Sequence, residues 1–341
     1  MKRMRIVILL IISSIAFGCL APGCGSGDKN ALAGDKTNYY ITFTVTHGTY
    51  EERSLESDVY YYNPGSRELK KMAAVPYNAQ YPLTVYDKGR DVVFYSAKAA
   101  SGVGDQLYAY DYKKDEQTQL TDDIFAINHI IPLGNGILLG QVPFGSPDIA
   151  INPYLYDDEK EELINWTWDQ DYHFNNMFYN ISSGLIIGSA YSASEDNRRL
   201  ANQDEEDYVE CDNHVFIIDD KGGKELLMIE NNDILNLISV KDKIVYGYNK
   251  SGFLSYDMKT GEQSFYNPEI VEKLHEKQGN KAWTFLYITD DENDFFILGS
   301  KDGGTCLYHY NKPNDELIDI YTADITHEQL NNAIVLPENW G

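Results

Sequence analysis

Apolar and polar residues alternate along this chain in short bursts, and the bursts come in pairs. LYAYDYKKDEQTQL (107–120) is one such pair: an apolar run ending in Asp, a polar turn and a second short run. Period-two alternation puts every other side chain on one face, so each run reads as a half-buried strand and each pair as a β-hairpin. The same opening recurs as VYYYN (59–63), PYLYD (153–157), VFIID (215–219), FLSYD (253–257) and LYHYN (307–311). An Asp or Asn closes the first strand of all six: Asn63, Asp111, Asp157, Asp219, Asp257 and Asn311. A side-chain oxygen at that point bonds the backbone two residues on, and glycines in the following turns supply positive φ.

Two further strand-like runs precede each hairpin after the first. PLTVY (82–86) and DVVFYSA (91–97) do so in the second unit; NNMFYN and GLIIGSA, ILNLISV and KIVYGYN, WTFLYIT and DFFILGS do so later. Four antiparallel strands recurring every 40–60 residues or so form the pattern of a propeller blade. The first unit is one strand short, since YYITFTV (39–45) matches a second strand and nothing precedes it. NNAIVLP (331–337) supplies the missing piece, and its return would close the ring and leave no open sheet edge. The expected fold is all-β: a six-bladed β-propeller of four-stranded antiparallel blades, the first completed by a C-terminal strand. Two stacked sheets of a sandwich are the alternative.

VYDKGRDVVFYSAKAASGVGDQLYAYDYKKDEQTQLTDD (85–123), with its Asp-x-Gly turn and closing Leu-Thr-Asp, resembles the repeat of TolB-like six-bladed propellers. DDENDFFILGSKDGGTCLYHYN (290–311) is a second, weaker copy. The chain departs from that family in lacking Trp-Ser-Pro-Asp-Gly turns and in a long insertion in its fourth unit. The resemblance spans roughly residues 38–340 as architecture and implies a scaffold. Such scaffolds serve protein binding, sugar binding and, occasionally, lyase or hydrolase chemistry.

The N-terminus, MKRMRIVILLIISSIAFGCLAPGCGSGDKN, has a basic start at Lys2, Arg3 and Arg5 and an apolar run from Ile6 to Phe17. That run is shorter than the roughly 20 residues a membrane span needs and reads as a secretory signal. Ala21-Pro22-Gly23-Cys24 resembles a bacterial lipobox, which implies cleavage before Cys24 and its acylation. Gly18-Cys19 is a competing site, and an ordinary secretory signal is the other alternative. The expected organisation is therefore a lipoprotein signal peptide over 1–23, a flexible tether over 24–37 and the propeller over 38–341. That places a monomer at the extracytoplasmic face of a bacterial cell membrane, held there through its N-terminal lipid alone.

Charge sharpens this reading. The chain has 28 Lys and Arg against 53 Asp and Glu, a formal −25, which repels nucleic acid and anionic headgroups. Cys211 and Cys306 fall in different units and are expected to be free thiols. No HExxH, GxSxG or phosphate-cradling glycine loop is present, and no cofactor or metal is expected.

Blade topology gathers the long loops at one end of the ring, the natural place for recognition. WTWDQDYHF (166–174) sets Trp166, Trp168 and Tyr172 beside Asp169 and Asp171, flat apolar platforms among carboxylates that suit a sugar or a cationic peptide. Packing between blades is the other use for those aromatics. Tyr77 and Tyr81 occupy an equivalent connection earlier. The acidic stretch 193–213 reads as a solvated loop, and EIVEKLHEK (269–277) as a short amphipathic helix. The function expected is a non-catalytic, surface-anchored lipoprotein binding a protein or glycan through its long-loop face. A polysaccharide lyase or glycosidase with acidic residues at the channel mouth is the alternative.

Overall fold

A computed structural model describes residues 38–48, 55–78, 81–145, 150–166, 169, 171–181, 183–202, 211–219, 222–230, 234–248, 252–278 and 283–340. The expected signal peptide and tether, with Cys24, lie outside them. Blade 1 begins with β1 (Tyr39–His47), β2 (Glu56–Asn63) and β3 (Glu68–Pro76). Blade 2 is β4 (Thr84–Asp87), β5 (Val92–Lys98), β6 (Asp105–Asp111) and β7 (Glu116–Gln119). Blade 3 is β8 (Ile124–Leu133), β9 (Gly136–Pro143), β10 (Asn152–Asp157) and β11 (Glu162–Asn165). Blade 4 holds β12 (Tyr172–Asn180), β13 (Leu185–Ser192), helix α1 (Ala193–Asn202), β14 (Asn213–Asp219) and β15 (Gly222–Ile229). Blade 5 is β16 (Ile234–Val240), β17 (Lys243–Tyr248), β18 (Gly252–Asp257) and β19 (Gln263–Phe265), followed by α2 (Pro268–Gln278). Blade 6 is β20 (Thr284–Ile288), β21 (Asp294–Lys301), β22 (Gly304–Asn311) and β23 (Glu316–Thr322), and β24 (Glu328–Pro337) follows.

Each blade is one four-stranded antiparallel sheet, and β24 heads the sheet β24-β1-β2-β3, so the ring closes as the sequence pattern requires. The closing strand is longer than NNAIVLP: it pairs with β1 from Tyr39↔Pro337 to His47↔Glu328, with a bulge at Thr44/Val45. Among the described residues, five apolar clusters fill the seams between blades. One spans blades 1, 2 and 3, and another joins blades 6 and 1 through Phe43, Val45, Tyr62, Phe296, Leu307 and Val335. Burial of aliphatic and aromatic surface at those seams, rather than within any one sheet, holds the blades together.

Polar side chains tie the inner strands to one another. Thr44 Oγ1 lies 2.8 Å from Thr84 Oγ1, Thr42 Oγ1 accepts the Tyr86 amide at 3.0 Å, and Tyr40 OH donates to Tyr86 O at 3.1 Å. Across blades 4 and 5, Asn176 donates to Asn236 Oδ1 at 3.1 Å, and Asn180 donates to the Ser239 carbonyl. These bonds satisfy buried groups that would otherwise cost about 1–3 kcal/mol each.

Among the described residues, three of the six hairpins show the anchor accepting the amides two and three residues on, as the pattern implies. Asp111 Oδ1 accepts the amides of Lys113 and Lys114, Asp157 those of Glu159 and Lys160, and Asp257 those of Lys259 and Thr260. Positive φ falls elsewhere than on glycine in most of them. Arg67 (57°), Asp115 (57°), Glu161 (55°) and Asp315 (50°) carry it, while blade 5 uses Gly261 (75°) and the blade 4 hairpin has Gly222 (106°). Asp tolerates that conformation better than most residues. Here Asp115 and Asp315 also accept the hydroxyls of Tyr110 and Tyr310 at 2.9 and 2.8 Å.

Beyond β24 the chain crosses the short-turn end of the channel. Glu338 Oε1 accepts from Asn63 Nδ2 at 3.1 Å and Tyr61 OH at 3.3 Å, while its other oxygen pairs with Lys88. The Trp340 indole then lies over the glycine turns of blades 2 and 3. A Cβ on Gly89 would stand only 3.1 Å from the indole, and one on Gly134 3.3 Å from Trp340 Cβ. Trp340 also meets Tyr179 of blade 4, ring centroids 5.4 Å apart, beside a cavity of about 380 Å³.

His129 on β8 makes the fold sensitive to acid. Burial, and then the neighbouring His173, pushes its imidazole down to about 4. The unfolded chain takes up this proton near pH 6.5 or so and the folded protein only near 4, so stability drains as pH falls through that window and levels off below it. Residual exposure of the ring makes about 3 kcal/mol an upper bound on the loss. Urea unfolding of wild type and His129→Gln at pH 7 and pH 4.5 should show wild type losing more stability than the variant by up to that amount. Equal losses would mean the ring is solvated.

Candidate functional site

The ring has two unlike ends. Turns after the first and third strands of each blade are short and gather at one end. Loops between second and third strands share the other end with the blade-to-blade connections, where α1 and α2 also lie. Helix α2 is the amphipathic segment the sequence implied, burying Ile270 and Leu274 in the seam between blades 5 and 6. The acidic stretch is not wholly a loop: Ala193–Asn202 is helical. Its start is held from a distance, because Asp171 accepts the Ser194 amide at 2.8 Å and the Ser192 hydroxyl at 2.6 Å, and Ser192 Oγ accepts the Glu195 amide at 3.2 Å. Such caps satisfy the unpaired amides of a first turn. Burial would raise the Asp171 carboxyl, but the bonds from Ser192 and Ser194 outweigh it and hold the group below its usual range.

The other residues of WTWDQDYHF divide between surface and seam. Trp166 is half-buried against the cluster between blades 3 and 4. Tyr172 sits edge-on to Phe216 and His214, centroids 5.0 and 5.4 Å away. Asp169 is exposed and accepts the Asp171 amide at 3.0 Å. Trp168 lies outside the described residues. Asp169, Asp171 and Tyr172 are thus brought together on one connection. Tyr77, half-buried, and Tyr81, 42% exposed, stand two connections away between blades 1 and 2.

Two features of this end had no sequence signal. The first is apolar. Nine large apolar side chains are exposed among the described residues, and six sit here: Tyr81, Val103, Phe125, Phe144, Leu200 and Ile325. Three of these come from touching backbone. Gly104, next to Val103, lies so close to β8 that a Cβ there would stand 2.1 Å from Ile124 O and 3.3 Å from Phe125 Cα. Phe144, next in the chain after β9, donates its amide to Asp123 O at 3.3 Å. The second feature is polar: an open depression of about 450 Å³ at the seam of blades 1 and 6, walled by His47, Asp58, Lys71, Asp324, His327 and Glu328.

No protein-family model matches the chain. No curated protein matches it either. Solved structures do match over most of its length. A hydrazine synthase from Kuenenia stuttgartiensis superposes with a TM-score of 0.57 at 12% identity, over 90% of this chain and 48% of that one, so this chain spans about half of its length. TolB from Acinetobacter baumannii gives 0.53 at 10% identity, over 90% and 67% of the two chains. A chain of a nidogen–laminin complex gives 0.50 at 8% identity, over 88% and 99%. Likeness at these identities is one of fold: the chain is an all-β, six-bladed propeller of four-stranded blades, closed by β24.

Proposed function

We propose that the protein is a non-catalytic scaffold held to the extracytoplasmic face of a bacterial membrane through acylated Cys24, with its long-loop end docking a partner protein. The exposed set Val103, Phe125 and Phe144 carries this reading. Large apolar side chains adjoining on a water-facing surface cost solvation, and proteins retain them chiefly where a partner covers them. Aromatic residues of this kind dominate binding energy at protein interfaces. A chain of formal charge −25 favours a partner with basic residues around its apolar anchor. Similarity to a propeller from a nidogen–laminin complex, an assembly of proteins, agrees with a docking role. The apolar set favours a protein over a glycan, and Asp169, Asp171 and Tyr172 extend the same face.

Photo-crosslinking residues placed at Phe125 and at Phe144 in the native host should each trap the same discrete protein adduct. One placed at Lys114 on the short-turn end should trap none. Identical patterns at both ends, or no adduct at either aromatic position, would defeat the docking assignment. In the same cells Cys24→Ser should move the protein out of the membrane fraction, and continued membrane retention would defeat the anchor.

A further inference from the structure

We propose that His47, Glu56 and Asp58 form a binding site for a divalent transition-metal ion of the zinc class. Sheet register places the three together. His47 and Glu56 are direct partners across β1 and β2, and Glu56 and Asp58, two residues apart, face the same side of β2. One ligand atom from each lies within 4.8 Å of the other two. His47 Nε2 is 3.1 Å from Asp58 Oδ1 and 3.9 Å from Glu56 Oε2. Ligands about 2.0–2.2 Å from a tetrahedral zinc stand about 3.3 Å apart, between those two separations.

The buried member of the set points to an ion. Asp58 is only 6% exposed, yet neither its Oδ1 nor His47 Nε2 makes a hydrogen bond, although the two atoms face each other. Orphaned buried acceptors are rare because each costs about 1–3 kcal/mol. The second carboxylate oxygen is held by Lys71 Nζ at 2.6 Å, which orients the group and leaves Oδ1 turned toward the imidazole. Such an outer partner is a regular accompaniment of metal-binding carboxylates. Asp324 and Glu328 wall the same depression, so carboxylates outnumber the one lysine around it. An imidazole nitrogen with two carboxylate oxygens suits zinc, iron, nickel or copper, whereas calcium and magnesium take oxygen ligands alone. Bound there, the ion would pin the ends of β1 and β2 beside the seam where the ring closes.

The test is titration of the full chain with Co²⁺ and then Zn²⁺, followed by visible absorption and by thermal melting. A saturable one-to-one Co²⁺ spectrum, displaced by Zn²⁺ and accompanied by a rise in Tm of a few degrees, is expected. Glu56→Gln and His47→Ala should each weaken binding at least tenfold or so, and His214→Ala should leave it unchanged. Glu56 is exposed, so Glu56→Gln decides the matter even if His47→Ala fails to fold. Absence of a saturable spectrum, or equal affinity in wild type and Glu56→Gln, would overturn the site. Displacement of Co²⁺ by millimolar Ca²⁺ would overturn the class of metal.

Discussion

A chain cut before Glu328 should show no cooperative thermal transition at all. Deleting residues 328–341 removes every partner of the inner edge of β1, a strand buried from Tyr39 through Thr46. It also strips Leu330, Val335 and Leu336 from the core, each worth about 1.5–3 kcal/mol on burial. Together these approach the whole stability of an ordinary domain, about 5–15 kcal/mol. The Glu338 contacts to Tyr61, Asn63 and Lys88 go as well. Circular dichroism melting is the measurement, and a midpoint within a few degrees of wild type would show that the ring holds without its last strand.

Arg90→Ala should cost about 3 kcal/mol. Asp87 is completely buried and pairs with the Arg90 guanidinium. The same guanidinium donates to the carbonyls of Leu133 at 2.7 Å and Gly136 at 3.1 Å, and to Asp158 at 2.6 Å, so one side chain fastens blade 2 to two turns of blade 3. Removing it leaves a carboxylate in the interior with no countercharge. Lys113→Ala is the comparison, since its pair with Asp91 is well exposed, is screened by water and salt, and should be worth far less. Urea unfolding of both variants decides it: if Arg90→Ala cost no more than Lys113→Ala, the Asp87 pair would be screened like any surface pair.

Local rules were readable from the residues, and long-range reach was not. The turn Asp87-Lys88-Gly89-Arg90 shows the difference. Asp87 Oδ1 accepts the amides of Gly89 and Arg90 at 2.9 and 3.2 Å, as an Asp-x-Gly turn implies. That Arg90 also caps the next blade depends on how two sheets pack, which no short-range pattern encodes. The missing strand of blade 1 was legible because a four-strand rhythm leaves a countable gap. Residues 328–330 were not, since Glu-Gln-Leu lacks alternation and pairs only beyond a bulge. Helix α1 escaped because its residues offer no apolar stripe, and the local cap from Ser192 is shared with Asp171, on the far side of β12 and β13. Phe125 and Phe144 sit at strand ends, where an outward-facing aromatic and a core one look alike in sequence. Glu56 and Asp58 are visibly on one face, but joining them to His47 requires the register of β1 against β2.

The route by which the ring shuts bears on how a nascent chain is made. Thr46 meets Asn331, 285 residues later, through a side-chain hydrogen bond. Ribosomes add about 5–20 residues per second, so β1 waits roughly 15–60 s with its inner edge bare. An unpaired strand as apolar as YYITFTV invites pairing with other chains, and short blades formed meanwhile cannot shield it. Until its final strand arrives, the nascent chain must therefore be kept apart from its copies.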